Sequence, residues 1–132
     1  MEIVVDASVL IAVVANEENK PMLIEITQKA ELIAPLSVHW EVGNAFSAML
    51  KRQRISLDQA ISAIEAYLQI PVRFVEVELI DSLALAGELG MYAYDAYLLR
   101  CAEKYRSPLL TLDKKLVQSA KSKRIAVLEL PE

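Results

Sequence analysis

At 132 residues, 55% hydrophobic and 24% charged, with three Gly and five Pro, residues 1–132 read as one domain with a real core and no linker or low-complexity stretch. Fourteen basic and eighteen acidic side chains leave a formal charge of −4, which excludes a protein that holds nucleic acid by net positive charge alone. Any polyanionic ligand must be met by a local basic patch, by a bound cation, or by both.

In chain order, Glu2 to Val5 predicts a short buried strand that Asp6 ends, and Ser8 to Val14 an apolar helix with Asp6 or Ser8 as its N-cap. Pro21, suited to a first helical position, opens a second helix to about Lys29. Leu32 to Ala34 is a second strand closed by Pro35. Ser37 to about Arg52 is the clearest helix, because Val38, Val42, Ala45, Phe46 and Met49 form one apolar stripe. Ser56 and Gln59 make a capping box for a helix that runs to about Ile70.

Val72 to Val77 alternates apolar residues with charge and predicts a third strand. Leu79 to Leu89 is helical, with Gly90 as its terminator. Tyr94 to Tyr105 predicts a helix, Leu109 to Leu112 a strand, Lys114 to Ser122 a helix and Ile125 to Leu130 a last strand. Strands alternating with helices predict an α/β fold with a parallel sheet covered on both faces. Ligands of such sheets gather at the carboxyl ends of the strands, near a topological switch point.

The opening MEIVVDASVLIAVVA has the length of a secretory signal, but Glu2 stands where positive charge belongs and Asp6 interrupts the apolar run. The longest clean apolar run, Val9 to Ala15, is far short of the ~20 residues of a membrane span. A cytoplasmic protein with no membrane partner is expected. The one cysteine, Cys101, fits a reducing compartment and reads as core filling.

Four acids adjoin apolar segments. Asp6 and Asp113 each end a strand, Glu41 flanks an apolar helical stripe, and Asp95 lies in the first turn of a helix. Singly, each has a plain account as a cap or a partner for a helix dipole. Gathered within ~5 Å, carboxylates would repel by about 3 kcal/mol per pair at an effective dielectric of 20, and a hard cation relieves that. With one histidine, His39, and one cysteine, a zinc site of the usual kind is not expected. Trp40, Tyr92 and Tyr94 could stack on bases, but read more readily as the edge of the core.

The segments that carry these acids resemble those of a known family. Val4-Val5-Asp6-Ala7-Ser8 is similar to the first motif of PIN domains, and Pro35 to Ala45, with Glu41 and Asn44 on one helix, to the second. Tyr94-Asp95-Ala96-Tyr97-Leu98 resembles the third, and Leu110-Thr111-Leu112-Asp113 the fourth. The four stand in the family's order over residues 4 to 116. The chain departs from the pattern at Arg100, where a small residue is usual, and at Lys114 and Lys115, where some members carry a further acid.

The resemblance implies a three-layer α/β/α sandwich on a roughly five-stranded parallel sheet. It also implies metal-dependent cleavage of single-stranded RNA, a homodimer, and often an antitoxin protein, as in VapC-like toxins. Asp6, Glu41, Asp95 and Asp113 would then be catalytic and surround Mg²⁺, with Mn²⁺ as the alternative. Asp6 and Asp95 would be the more direct ligands. Ser8, Asn44 and Thr111 would support those carboxylates, and Arg100, Lys114 and Lys115 would meet RNA phosphates. The competing expectation is a PIN-like module that keeps its acids but only binds a partner protein or RNA.

Overall fold

A computed structural model describes residues 1–130. Its elements run β1 (Glu2–Val5), α1 (Ala7–Val14), α2 (Lys20–Thr27), β2 (Glu31–Pro35), α3 (Ser37–Lys51), α4 (Leu57–Leu68), β3 (Val72–Val75), α5 (Leu79–Leu89), α6 (Ala93–Tyr105), β4 (Leu109–Leu110) and α7 (Lys114–Ser122). The strands form a parallel sheet in the order β3-β2-β1-β4. Helices α1 to α4 pack among themselves, α5 packs on α6, and α6 lies across β1, β2 and β4. The result is the expected parallel sheet flanked by helices.

The local signals explain most boundaries. Both bonds of the capping box form at the start of α4: Gln59 N–H donates to Ser56 Oγ at 3.1 Å, and Ser56 N–H to Gln59 Oε1 at 2.9 Å. Gly90 closes α5 with φ +64°, a left-handed conformation in which a Cβ would be strained. Val38, Val42 and Phe46 of the predicted stripe are buried, against a core that includes Ile3, Val4, Val5, Ile33, Leu99 and Leu109.

Two predicted strands come out shorter than expected. Val72 to Val77 ends as a strand at Val75, and the predicted Leu109 to Leu112 strand at Leu110. At β4 the strand ends where Thr111, whose hydroxyl donates to Asp6, begins the approach to α7. The expected fifth strand, Ile125 to Leu130, is present only as an isolated parallel bridge between Leu109 and Val127, held by Leu109 N–H to Ala126 O and Leu128 N–H to Leu109 O, each 2.9 Å. A two-residue β4 offers too little edge for a longer pairing, so the described sheet has four strands rather than five.

The chain adds β2 and β3 on one side of β1 and then returns to lay β4 on the other. The sheet order therefore reverses between β1 and β4. Asp6 directly follows β1 and Thr111 directly follows β4, so both stand at the crevice where this topology gathers ligands.

Candidate active site

Asp6 is buried, with 6% of its surface exposed. It caps α1 by accepting Val9 N–H on Oδ1 at 3.2 Å, and the same oxygen accepts Ser8 Oγ–H at 2.6 Å. Its Oδ2 accepts the Thr111 hydroxyl. Ser8 Oγ in turn accepts Leu112 N–H and Thr111 Oγ1 accepts Asp113 N–H, both at 3.0 Å. Two hydroxyls thus tie the end of β1 to the end of β4. Ser8 and Thr111 both bond the Asp6 carboxylate. The capping account of Asp6 is also correct: one carboxylate does both.

Asp113 caps α7, its Oδ1 accepting Lys115 N–H at 2.9 Å and Leu116 N–H at 3.3 Å. Glu41 lies one flank away from the buried stripe of α3, and Asp95 lies in the first turn of α6. Burial pushes the Asp6, Glu41 and Asp95 carboxyls up. Glu41 is carried to about 7, with Asp6 and Asp95 adding to the effect of burial. Asp113 raises both Asp6 and Asp95, while Lys115 acts in the opposite direction on Asp95. The four acids therefore share one electrostatic field, although each comes from a different segment.

Their free lone pairs differ. An ionised carboxylate has about four acceptor sites. At Asp6 two donors occupy Oδ1 and one occupies Oδ2, so little capacity remains. Among the described residues no protein donor reaches Asp95 or Glu41, and Glu41 Oε1 is buried without a partner. Such an atom is costly unless something else satisfies it.

An oxygen-only set in which the Asp6, Glu41 and Asp95 carboxyls are raised, with an orphaned buried oxygen, fits a hard cation such as Mg²⁺. Among the described residues no three His, Cys, Asp or Glu side chains form a ready cage for a metal. Mg²⁺ does not need one, since it takes one or two protein carboxylates directly and keeps several waters.

Several other expectations need correction. Arg100 is not free for phosphate: its guanidinium is 2.9 Å from Glu78, with Asp81 and Glu103 also within reach. Asn44 is exposed, and among the described residues its side chain bonds none of the four acids. Trp40, Tyr92 and Tyr94 are 68%, 89% and 59% exposed rather than edge of the core, because each follows the outward face of its segment. Lys114 and Lys115 are exposed at the start of α7, beside Asp113.

Sequence reading missed Ser37. It lies one helical turn before Glu41, and its Oγ is likewise buried without a partner. The i, i+4 spacing from Glu41 was a signal that could have found it.

The family model of the PIN domain matches residues 3–122. The chain belongs to the PIN domain family. Among the PIN proteins it is similar to, Ribonuclease VapC3 of Pyrobaculum aerophilum is 30% identical over 123 residues, covering 89% of this chain and 94% of that protein. The crystal structure of PAE2754 from the same organism superposes with a TM-score of 0.74 at 26% identity, over 96% of this chain and 83% of the other. VapC20 of Mycobacterium tuberculosis, a sarcin-ricin loop cleaving toxin, gives 0.67 at 16% identity over 98% and 99%. VapBC2 of Rickettsia felis, bound to a DNA fragment from its promoter, gives 0.64 at 15% over 98% of each chain. These last two speak to the PIN fold alone.

Proposed function

We propose that this PIN protein is a divalent-metal-dependent endoribonuclease that cuts single-stranded RNA, and the toxin of a toxin–antitoxin pair. The observation that carries the reading is the buried Asp6 at the switch point of the sheet, tied by Thr111 to the segment that bears Asp113, with the orphaned carboxylate oxygen of Glu41 in the field of Asp6 and Asp95. The similarity to Ribonuclease VapC3 supports the choice of RNA and the toxin reading.

The residues divide the work by the lone pairs they keep. Asp95 and Glu41, with no protein donors, would hold Mg²⁺ or Mn²⁺ directly, and the remaining site on Asp6 Oδ2 would reach it through water. Asp113, half occupied by the backbone of α7, would orient water from its Oδ2. When bound, the cation supplies a more acidic water and offsets charge on the phosphate oxygens. Ser8 and Thr111 keep Asp6 in one orientation, so the acids do not reorganise when substrate arrives. Lys114 and Lys115 would meet phosphates along the strand.

Residues 1–132 would form one such unit, working in the cytoplasm; among the described residues no helix is long and apolar enough to cross a membrane. Homodimerisation would cover apolar side chains that α5 leaves in solvent, Ile80 at 82% and Leu83 at 56% exposure. Sedimentation of the purified protein reads that directly.

The experiment that tests the function is incubation of mixed RNAs with the protein in Mg²⁺, in Mn²⁺ and in EDTA, alongside Asp95→Asn. Cutting lost in both EDTA and the variant is the expected result. Cation binding without cutting of any RNA would overturn the nuclease and leave a binding module.

A further inference from the structure

One turn from Glu41, at the carboxyl ends of β2 and β3, lies an open cavity of about 400 Å³ lined by Pro35, Leu36, Val75, Val77, Leu79 and Tyr97, with Ser37 and Glu76 as its other polar residues. Ser37 connects it to the acidic centre, since it stands one turn before Glu41 on the same face of α3. Tyr94, exposed next to Asp95, meets Tyr97 edge to face with ring centroids 6.1 Å apart. An aromatic surface therefore leads from the acids to the cavity mouth.

The lining has the character of a small-ligand site: mostly apolar walls, one ring, and few polar groups. Its size falls at the small end of the roughly 300–1,000 Å³ range of such sites. The Ser37 hydroxyl is the group that the fold leaves unexplained, since it is buried and bonds nothing among the described residues. A hydroxyl both donates and accepts, and one rotation about χ1 redirects it. A flat heteroaromatic ring with hydrogen-bonding edges suits this combination of apolar faces, a tyrosine and a serine.

We propose that this cavity receives one unstacked nucleobase of single-stranded RNA, next to the phosphate that is cut. The proposal rests on the nuclease reading only for the position of the cut; binding of the base does not require it. Tyr97 and the apolar wall supply sequence-tolerant stacking, and Ser37 supplies the choice among bases. The site adjoins the acids through Ser37 and Glu41 on α3, so a base held here fixes the register of the strand. Ser37 is thus a specificity residue, acting on the base and not on the reacting phosphate.

The test has two arms. In the first, binding of labelled single-stranded oligoribonucleotides to the Asp95→Asn protein in Mg²⁺ is followed by anisotropy while one abasic position is walked along the strand. One position should weaken binding by roughly ten- to hundred-fold, the worth of one stacked base. Leu79→Trp, which adds bulk at an exposed position on the cavity wall, should abolish that dependence.

In the second arm, wild type and Ser37→Ala cut a random-sequence RNA and the new ends are sequenced. Wild type should favour a base at one position beside the cut, and the cuts that Ser37→Ala makes should no longer show that preference. Binding insensitive to every abasic position, or to Leu79→Trp, overturns the cavity assignment. An unchanged preference in Ser37→Ala overturns the role of Ser37. No cutting by wild type, with the abasic dependence intact, overturns the nuclease reading and leaves the base site standing.

Discussion

In metal-free protein, Glu41→Gln should stabilise the fold at pH 8 and have no such advantage at pH 5. Glu41 has its pKa raised from 4.5 to about 7, by burial first and then by Asp6 and Asp95. An acid raised on folding holds its proton in the native state at pH values where the unfolded chain has lost it. Its contribution is therefore fully present below pH 4.5 and is lost as pH rises to about 7. If the whole difference counted, the loss would be about 3 kcal/mol, each pH unit being worth about 1.4 kcal/mol. Glu41 is only partly buried, and screening by solvent reduces this to about 1–2 kcal/mol.

Glutamine has nearly the shape of glutamic acid and does not ionise. Whatever its amide costs in packing is the same at both pH values, so the pH-dependent part isolates the charge. For a chain of this length the expected rise in Tm is roughly 3–10 °C at pH 8. Differential scanning fluorimetry of both proteins in EDTA from pH 5 to pH 8 measures it. Saturating Mg²⁺ should cancel the advantage, because it stabilises the carboxylate and finds less in the variant. Equal Tm differences at pH 5 and pH 8 in EDTA would refute the reasoning and show that Glu41 is not held in the field of the other acids.

Other outcomes follow from the same geometry. Calorimetric titration with Mg²⁺ at pH 7 should release protons, seen as an enthalpy that changes with the buffer, since Glu41 is part-protonated there; buffer-independent heat would contradict this. Thr111→Val removes the donor to Asp6 and the acceptor of Asp113 N–H, and should destabilise by about 1.5–3 kcal/mol in a denaturant titration. Lys114→Ala should flatten the dependence of RNA binding on salt by about one phosphate contact, whereas an unchanged slope places that lysine off the strand. Cys101 is fully buried and its thiol is pushed up to about 12. It should therefore resist a thiol reagent until the protein unfolds, and stability should fall as pH rises from about 9 towards 12.

Much of this protein was legible along the chain because the signals are local. The capping box at Ser56, the glycine stop at Gly90 and the apolar stripe of α3 each depend on residues three or four apart, and each appears where the spacing predicts. The PIN motifs are legible for a related reason: Asp6, Asp95 and Asp113 sit at the boundaries of elements that are themselves readable, and Glu41 flanks a readable stripe. What the tertiary structure decided are the meetings between segments distant in sequence. The Thr111 hydroxyl meets Asp6, 105 residues away, and β4 is two residues long with the expected fifth strand reduced to a bridge. Arg100 is drawn to Glu78, 22 residues earlier, rather than to a substrate. Ser37 beside Glu41 takes on meaning only when β2, β3 and α6 close a cavity around it. Spacing along a helix or strand follows from backbone geometry, whereas which side chains of different elements share a hydrogen bond or a field depends on packing that no local pattern encodes.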